Sequence, residues 1–158
     1  MPLIRKTFIT VILFISLISC GFKVSNNSSI TNFTIENLEV QGDRRINFKL
    51  KNDLLSLSSP NNKDFISINL TTKKLKNIKE KNIRNEIVKY QIVLTSTVKF
   101  NVNSEDKLYQ MEFSVNGDYL ASSSYSKTLS NEKKLIDNLT KELSKNIQNK
   151  ISLRLNDL

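Results

Sequence analysis

An alternation of apolar and polar side chains over residues 88–102 constrains the fold more than any other feature of this sequence. Even-numbered positions in this run are apolar except Ser96, and odd-numbered positions are polar except Val93. A second alternation, from Tyr109 to Ser126, follows a turn-like cluster. A period of two residues is that of a β-strand with one buried face. The two runs therefore predict an antiparallel hairpin whose polar face is open to water or to a partner.

Two shorter patterns predict further strands on the N-terminal side of this hairpin. Phe33 and Ile35 alternate with polar neighbours, but the apolar phase then slips to Leu38 and Val40. Such a slip indicates either a β-bulge or an early end of the strand. A clean alternation at residues 66–70 predicts the next strand.

Between these strands, apolar side chains recur at helical spacing. The residues on this predicted face are Ile46, Leu50, Leu54 and Leu57. We expect Asp43, after Gly42, to cap the helix. Basic residues surround the apolar face, so the helix suits packing on a core and, as a weaker alternative, contact with a membrane surface.

The C-terminal part of the chain predicts a long amphipathic helix of about 25 residues. We expect it to begin near Ser130, which is a suitable N-cap. Its apolar stripe consists of Leu135, Ile136, Leu139, Leu143, Ile147, Ile151 and Leu155. The four-residue drift of this stripe favours packing on a sheet over a coiled coil.

These elements predict an α+β protein with the architecture of a two-layer sandwich. We expect about four strands in a mixed or antiparallel sheet, in the chain order β-α-β-β-β-α. Both helices should lie on one face, because strands with a single apolar side need cover on that side only. The predicted domain spans residues 33–158.

The most positively charged stretch of the chain lies at residues 73–84, KKLKNIKEKNIR, where Glu80 is the only acid. Like charges this close repel one another unless solvent or an anionic partner screens them. We expect the stretch on a loop or at a strand end. Whether it is only a solvated hairpin loop or binds an anion stays open at this point.

The first twenty residues have the organisation of a bacterial export signal. Arg5 and Lys6 precede an uncharged run at residues 7–18, which is too short to span a bilayer but has the length of a signal-peptide core. The run ends in Leu-Ile-Ser-Cys at residues 17–20, which resembles the lipobox of bacterial lipoproteins. The resemblance implies that Cys20 is acylated and becomes the N-terminus of the mature protein.

We therefore divide the chain into a signal peptide at residues 1–19, a lipidated cysteine with a flexible tether at residues 20–32, and the domain. The net charge of +9 falls to +7 when the signal peptide is removed. An exported chain is not expected to bind nucleic acid despite this charge. Because Gly21 and Phe22 follow the cysteine in place of an inner-membrane retention aspartate, we expect anchoring to the outer membrane, on its periplasmic side.

The residues that most enzymes need are missing from the sequence. It has no histidine and one cysteine, which removes the common acid–base groups, metal ligands and nucleophile pairs. It also lacks a Gly-x-Ser-x-Gly elbow, and its acidic residues are scattered. We predict that the protein is not an enzyme and that it has no metal and no cofactor apart from the acyl and diacylglycerol groups on Cys20.

Three local motifs and the order of elements resemble the family of the lipopolysaccharide-assembly lipoprotein LptE. Cys20-Gly21-Phe22 is similar to the Cys-Gly-aromatic start of that family. The run Lys-Tyr-Gln-Ile-Val-Leu-Thr at residues 89–95 is similar to its central Tyr-Gln strand. Ser-Asn-Glu at residues 130–132 is similar to the entry of its final helix.

This resemblance implies a non-enzymatic subunit that sits within the outer-membrane β-barrel LptD, assists its assembly and contacts lipopolysaccharide. The basic residues that contact the anion in this family lie before the Tyr-Gln strand and before the last helix. The positions that fall closest here are Arg84 and Lys127, with Lys81 as an alternate. A binding or scaffold lipoprotein of another envelope complex remains the alternative, since a fold does not fix a function.

Overall fold

The computed structural model describes residues 33–56, 58, 64–102 and 107–156. Its elements are β1 (Phe33–Gly42), α1 (Arg44–Leu55), β2 (Asp64–Lys81), β3 (Ile87–Val102), β4 (Leu108–Leu120) and α2 (Tyr125–Asn156). The predicted α+β class and the order β-α-β-β-β-α are confirmed. The predictions for residues 1–32, including Cys20, lie outside the described residues.

The four strands form one mixed sheet in the order β1-β2-β3-β4. β1 pairs with β2 in parallel, and α1 makes the crossover between them. β2, β3 and β4 are successive antiparallel neighbours. The register of β1 against β2 shifts between Ile35 and Asn37, so the slip in the apolar phase reflects a bulge and not an early end of the strand.

Helix α1 begins where the sequence predicts. The side chain of Asp43 accepts hydrogen bonds from the backbone N–H groups of Arg45 and Ile46, at 3.1 and 3.2 Å. Ile46, Leu50 and Leu54 are buried, as their spacing predicts. The fourth predicted residue, Leu57, lies outside the described residues.

The basic stretch at residues 73–84 is mostly strand, which corrects the expectation of a loop or a strand end. β2 continues to Lys81, and the chain turns only at residues 82–86. β1 ends opposite Thr72, so the basic part of β2 has β3 as its neighbour on one side only. Strand pairing with β3 and ion pairs described below stabilise this extended conformation.

The alternation in the central hairpin is confirmed as far as Leu120, where β4 ends. The prediction that the strand continues through Tyr125 is wrong. Tyr125 is the first residue of α2 and is exposed. Its apparent place in the alternation was a coincidence, because the serines at residues 122–124 form the connection between the strand and the helix.

Helix α2 begins five residues earlier than the predicted start at Ser130. The N–H of Thr128 donates to the carbonyl of Ser124 at 3.0 Å, which closes a helical turn before Ser130 is reached. The Thr128 hydroxyl accepts a hydrogen bond from the N–H of Ser122 at 2.8 Å. The start of the helix is therefore fixed by Thr128, which the sequence analysis did not predict as a capping residue.

The core lies between one face of the sheet and the two helices. On α2, the predicted residues Ile136, Leu139, Leu143, Ile147 and Ile151 are buried. They meet the even-numbered residues of β3, of which Ile92, Leu94, Val98, Phe100 and Val102 are buried. The other face of the sheet, which we call the open face, has no helix on it in the described part of the chain. The prediction of helices on one face only is thereby confirmed.

Candidate functional site

The three predicted anion-binding residues lie at one end of the sheet, where β2 and β3 join. We call this region the hairpin end and define it as residues 73–90 together with the facing residues 118–132. The Ala121 N–H donates to the Val88 carbonyl at 3.0 Å. This bond holds the exit of β4, and hence the start of α2, beside the start of β3.

A single asparagine organises the turn at the tip. The Asn82 side-chain oxygen accepts hydrogen bonds from the N–H groups of Arg84, at 2.9 Å, and Glu86, at 3.0 Å. Asn85 has a φ of 63°, in the left-handed region that asparagine tolerates better than most residues. Its N–H donates to the Asn82 carbonyl at 2.9 Å. The turn is thus closed by its own hydrogen bonds and presents Ile83 and Arg84 to solvent.

Several lysines of the hairpin end are neutralised within the protein. Lys74 lies 3.1 Å from Asp43, and Lys89 lies 2.7 Å from Glu80. Lys79 pairs with Asp118 of β4. These pairs explain how a strand with so many like charges remains extended, since each carboxylate offsets the repulsion around it.

The strongest of these clusters surrounds Lys76. Its Nζ lies 2.6 Å from Glu132 Oε2 and 4.5 Å from the centre of the Tyr90 ring. The Tyr119 hydroxyl donates to the same carboxylate oxygen at 2.8 Å, and its ring stacks on Tyr90 with the centroids 5.3 Å apart. Side chains from three strands and from α2 therefore converge on one ion pair.

The protonation equilibria of this cluster follow from its contacts. Partial burial lowers the pKa of Lys76, but its hydrogen bonds with Glu132 and Tyr119 outweigh burial, and the pKa lies above its ordinary value. Burial raises the pKa of Glu132, yet the hydrogen bonds from Lys76 and Tyr119 leave that pKa below its ordinary value. Burial holds the pKa of Tyr119 above its usual range. The pair is therefore charged at neutral pH.

Other cations of the hairpin end have no carboxylate partner among the residues that the structure describes. They are Lys73, Lys81, Arg84 and Lys127. Lys81 is the last residue of β2 and donates to the side-chain oxygen of Asn85 at 3.0 Å. Arg84 lies in the turn, and Lys127 lies in the first turn of α2. The three predicted residues are all exposed and keep their charge available for an anion.

Exposed apolar side chains lie among these cations, and the sequence analysis did not predict them as part of a site. They are Leu75, Ile78, Ile83, Leu120, Tyr125 and Leu129. Ile83 at the tip is fully exposed. The available signal was an isoleucine alone between polar residues in a turn, where no core position is expected. Cations and exposed apolar groups at the same end of the sheet suit a ligand that has both phosphate and hydrocarbon parts.

Neither a metal site nor a membrane-spanning helix emerges from the described ranges. Within residues 33–56, 58, 64–102 and 107–156, no three acidic, histidine or cysteine side chains are grouped so that they could hold a metal ion. In the same ranges, no helix combines the length and the apolar character needed to cross a bilayer.

The fold is similar to that of several solved bacterial lipoproteins, although no family model and no curated protein matches the sequence. An uncharacterized lipoprotein B from Nitrosomonas europaea is 11% identical with a TM-score of 0.58, over 86% of this chain and 93% of that chain. Rare lipoprotein B from Shewanella oneidensis is 13% identical with a TM-score of 0.54, over 76% and 97%. A minor lipoprotein from Acinetobacter baumannii is 13% identical with a TM-score of 0.50, over 79% and 95%. At this level of identity the three likenesses establish the shared fold.

Proposed function

We propose that this protein is an outer-membrane lipoprotein, anchored through Cys20, that assists a β-barrel translocon of the LptD type in delivering lipopolysaccharide to the cell surface. The resemblance of its motifs to the LptE family supports this role. The shared fold with lipoproteins of three other bacteria is consistent with it. In this role the protein acts by binding and by assisting assembly, not by catalysis.

The observation that most strongly supports the proposal is the composition of the hairpin end. Lysine and arginine side chains form charge-assisted hydrogen bonds with phosphate, and arginine does so through two parallel bonds. Lipopolysaccharide combines phosphate groups with acyl chains. Lys81, Arg84 and Lys127 are exposed and have no carboxylate partner among the described residues, and the exposed Ile83 precedes Arg84 in the turn.

A double charge reversal tests the contact with lipopolysaccharide. Arg84→Glu combined with Lys127→Glu should weaken binding of purified lipopolysaccharide at least tenfold, since it replaces two attractive charges with two repulsive ones. Lys99→Glu with Lys141→Glu is the matched control, because both of its lysines are exposed and lie outside the hairpin end. Equal binding by the two double variants would remove Arg84 and Lys127 as contact residues.

Two further measurements test the anchor and the partner. The Cys20→Ala chain should remain uncleaved or lose its membrane association, because it has no thiol to acylate. The tagged wild-type chain, solubilised from membranes, should co-purify with a large β-barrel, and its depletion should reduce lipopolysaccharide at the cell surface. Co-purification with a different envelope complex would instead support the scaffold alternative.

A further inference from the structure

The sheet has three stretches of strand edge without a neighbouring strand in the described part of the chain. These are the outer side of β1, the part of β2 beyond Thr72, and the whole of β4. An unpaired edge is a template for strands of other chains unless bulges, prolines or lysines interrupt it. β1 is interrupted by its bulge, and the Ser58 hydroxyl accepts the N–H of Ile35 at 2.9 Å. The free part of β2 is rich in lysines.

β4 has none of these protective features. Its sequence, LYQMEFSVNGDYL, contains no lysine and no proline. Its pairing with β3 continues without a register shift from Leu108 to Leu120. The only charged residues on this strand are Glu112 and Asp118, although the chain as a whole has a net charge of +9.

The hydrogen bond from Ala121 N–H to the Val88 carbonyl fixes which backbone groups of β4 face outward. In an antiparallel pair, residues that bond to the neighbouring strand recur at every second position. Odd-numbered residues of β4 therefore bond to β3, and the even-numbered residues direct their N–H and C=O groups to the free edge. The side chains of these even-numbered residues, from Leu108 to Leu120, are all exposed on the open face.

We propose that β4 pairs with β4 of a second copy of this chain in an antiparallel manner, with the two-fold axis at Ser114. This register pairs all thirteen residues of the strand. It also places even-numbered residues opposite even-numbered residues, so the outward N–H groups of one copy meet the outward carbonyls of the other. The product is a continuous sheet in which the two open faces are joined.

The side chains on the open face are self-complementary in this register. Leu108 lies opposite Leu120 of the second copy, and these side chains are 67% and 61% exposed in the single chain. Each acid lies opposite an amide: Glu112 faces Asn116, and Asp118 faces Gln110. The register with its axis at Val115 is worse, because it would place Glu112 opposite Asp118, and like charges directly opposite destabilise a sheet.

The helix-side face of β4 fits the same register. Phe113 lies opposite Val115 of the second copy, Met111 opposite Gly117, and Tyr109 opposite Tyr119, so in the first two pairs the larger side chain meets a smaller one. Phe113 and Met111 are only partly buried in the single chain. Pairing with the second copy would bury the parts of Phe113 and Met111 that are directed towards the free edge of β4. The inference depends on β4 alone and holds whether or not the protein binds lipopolysaccharide.

Disulfide cross-linking tests the register directly. In the full chain, Ser114→Cys places two thiols opposite each other at the axis, where the Cα atoms of a bonded pair are about 5.5 Å apart and within reach of a disulfide. Mild oxidation should convert most of this variant to a covalent dimer on a non-reducing gel. Thr71→Cys, on the open face of β2, and the wild-type chain should give no covalent dimer on the same gel. A Ser114→Cys variant that stays monomeric, or that cross-links to a different protein, would overturn the proposal.

A charge placed at the axis tests the dimer without a covalent bond. Ser114→Lys should raise the dissociation constant of the dimer about tenfold or more, because two lysines then face each other. Thr95→Lys adds the same charge to the open face of β3, away from the edge, and should leave that constant unchanged. Light scattering of the full chain in detergent measures the dissociation constants of both variants. A wild-type chain that has the mass of a monomer throughout the micromolar range contradicts the proposal.

Discussion

The ammonium group of Lys76 on β2 and the carboxylate of Glu132 on α2 are joined at 2.6 Å, which links the hairpin end to the first part of the long helix. The Tyr119 hydroxyl donates to the same oxygen at 2.8 Å. Because β2 has a neighbouring strand on one side only at this level in the described part of the chain, the contact ties its free edge portion to the helix layer.

Neutralising this carboxylate should destabilise the protein. We expect Glu132→Gln to lower the free energy of unfolding by about 1 kcal/mol, since the ion pair is partly exposed and exposed pairs contribute little more than this. Urea denaturation followed by circular dichroism measures the change. Glu142→Gln removes an exposed acid from the same helix that has no ion pair among the described residues, and it should leave the stability unchanged.

The same carboxylate should make the stability depend on pH in the acid range. The pKa of Glu132 in the folded protein lies below the ordinary value of 4.5, so the folded state holds this proton more weakly than the unfolded state. The stabilisation is complete above about pH 4.5 and is lost as the pH falls through the folded-state pKa. Unfolding measured from pH 7 down to pH 3 should therefore show a smaller loss for Glu132→Gln than for the wild type. If the free energy of unfolding depends on pH identically in the two proteins, Glu132 is not the source of the effect.

The N-cap of α1 has two functions that a pair of variants can separate. Asp43 caps the helix and also pairs with Lys74 at 3.1 Å. Asp43→Ala should cost about 1–2 kcal/mol of stability, because the N–H groups of Arg45 and Ile46 lose their acceptor. Asp43→Asn keeps an acceptor and loses only the charge, so its cost should be below about 1 kcal/mol. Equal losses in thermal denaturation would show that the ion pair, and not the cap, dominates.

One buried hydroxyl should be dispensable. Ser144 is 2% exposed on α2, and its Oγ has no hydrogen-bond partner within the described residues. Ser144→Ala should raise the free energy of unfolding by about 1 kcal/mol, because it removes an unsatisfied polar group and favours the helix. Ser130→Ala, at an exposed position of the same helix, reports the gain from helix propensity alone. If the two variants gain equally, the hydroxyl of Ser144 has a partner in solution.

Hydrophobic periodicity was sufficient to predict the sheet and the helices. The buried residues of α1 and α2 and the even-numbered core positions of β3 follow from spacings of four and of two, because these residues pack against a single core. The bulge in β1 was one of two outcomes that the slip between Ile35 and Leu38 allowed. The register shift of β1 against β2 between Ile35 and Asn37, which is a long-range pairing, selects the bulge.

Where prediction failed, the deciding contacts were distant in sequence. Residues 73–81 were expected on a loop or at a strand end, with their lysines screened by solvent or by an anionic partner. The acids that offset the repulsion, Asp43, Asp118 and Glu132, come from other elements. For the candidate site, sequence and family resemblance singled out Lys81, Arg84 and Lys127. The exposed apolar residues of the hairpin end became evident only from the exposed fractions of their side chains in the fold.

The parallel pairing of β1 with β2 has a consequence for the order in which the protein can fold. β2, β3 and β4 follow one another along the chain and can form as local hairpins, which close quickly. β1 precedes its partner in the chain, and that partner begins at Asp64, after α1. β1 must therefore remain unpaired until α1 and β2 are available, so the parallel pair closes a longer loop than either hairpin does.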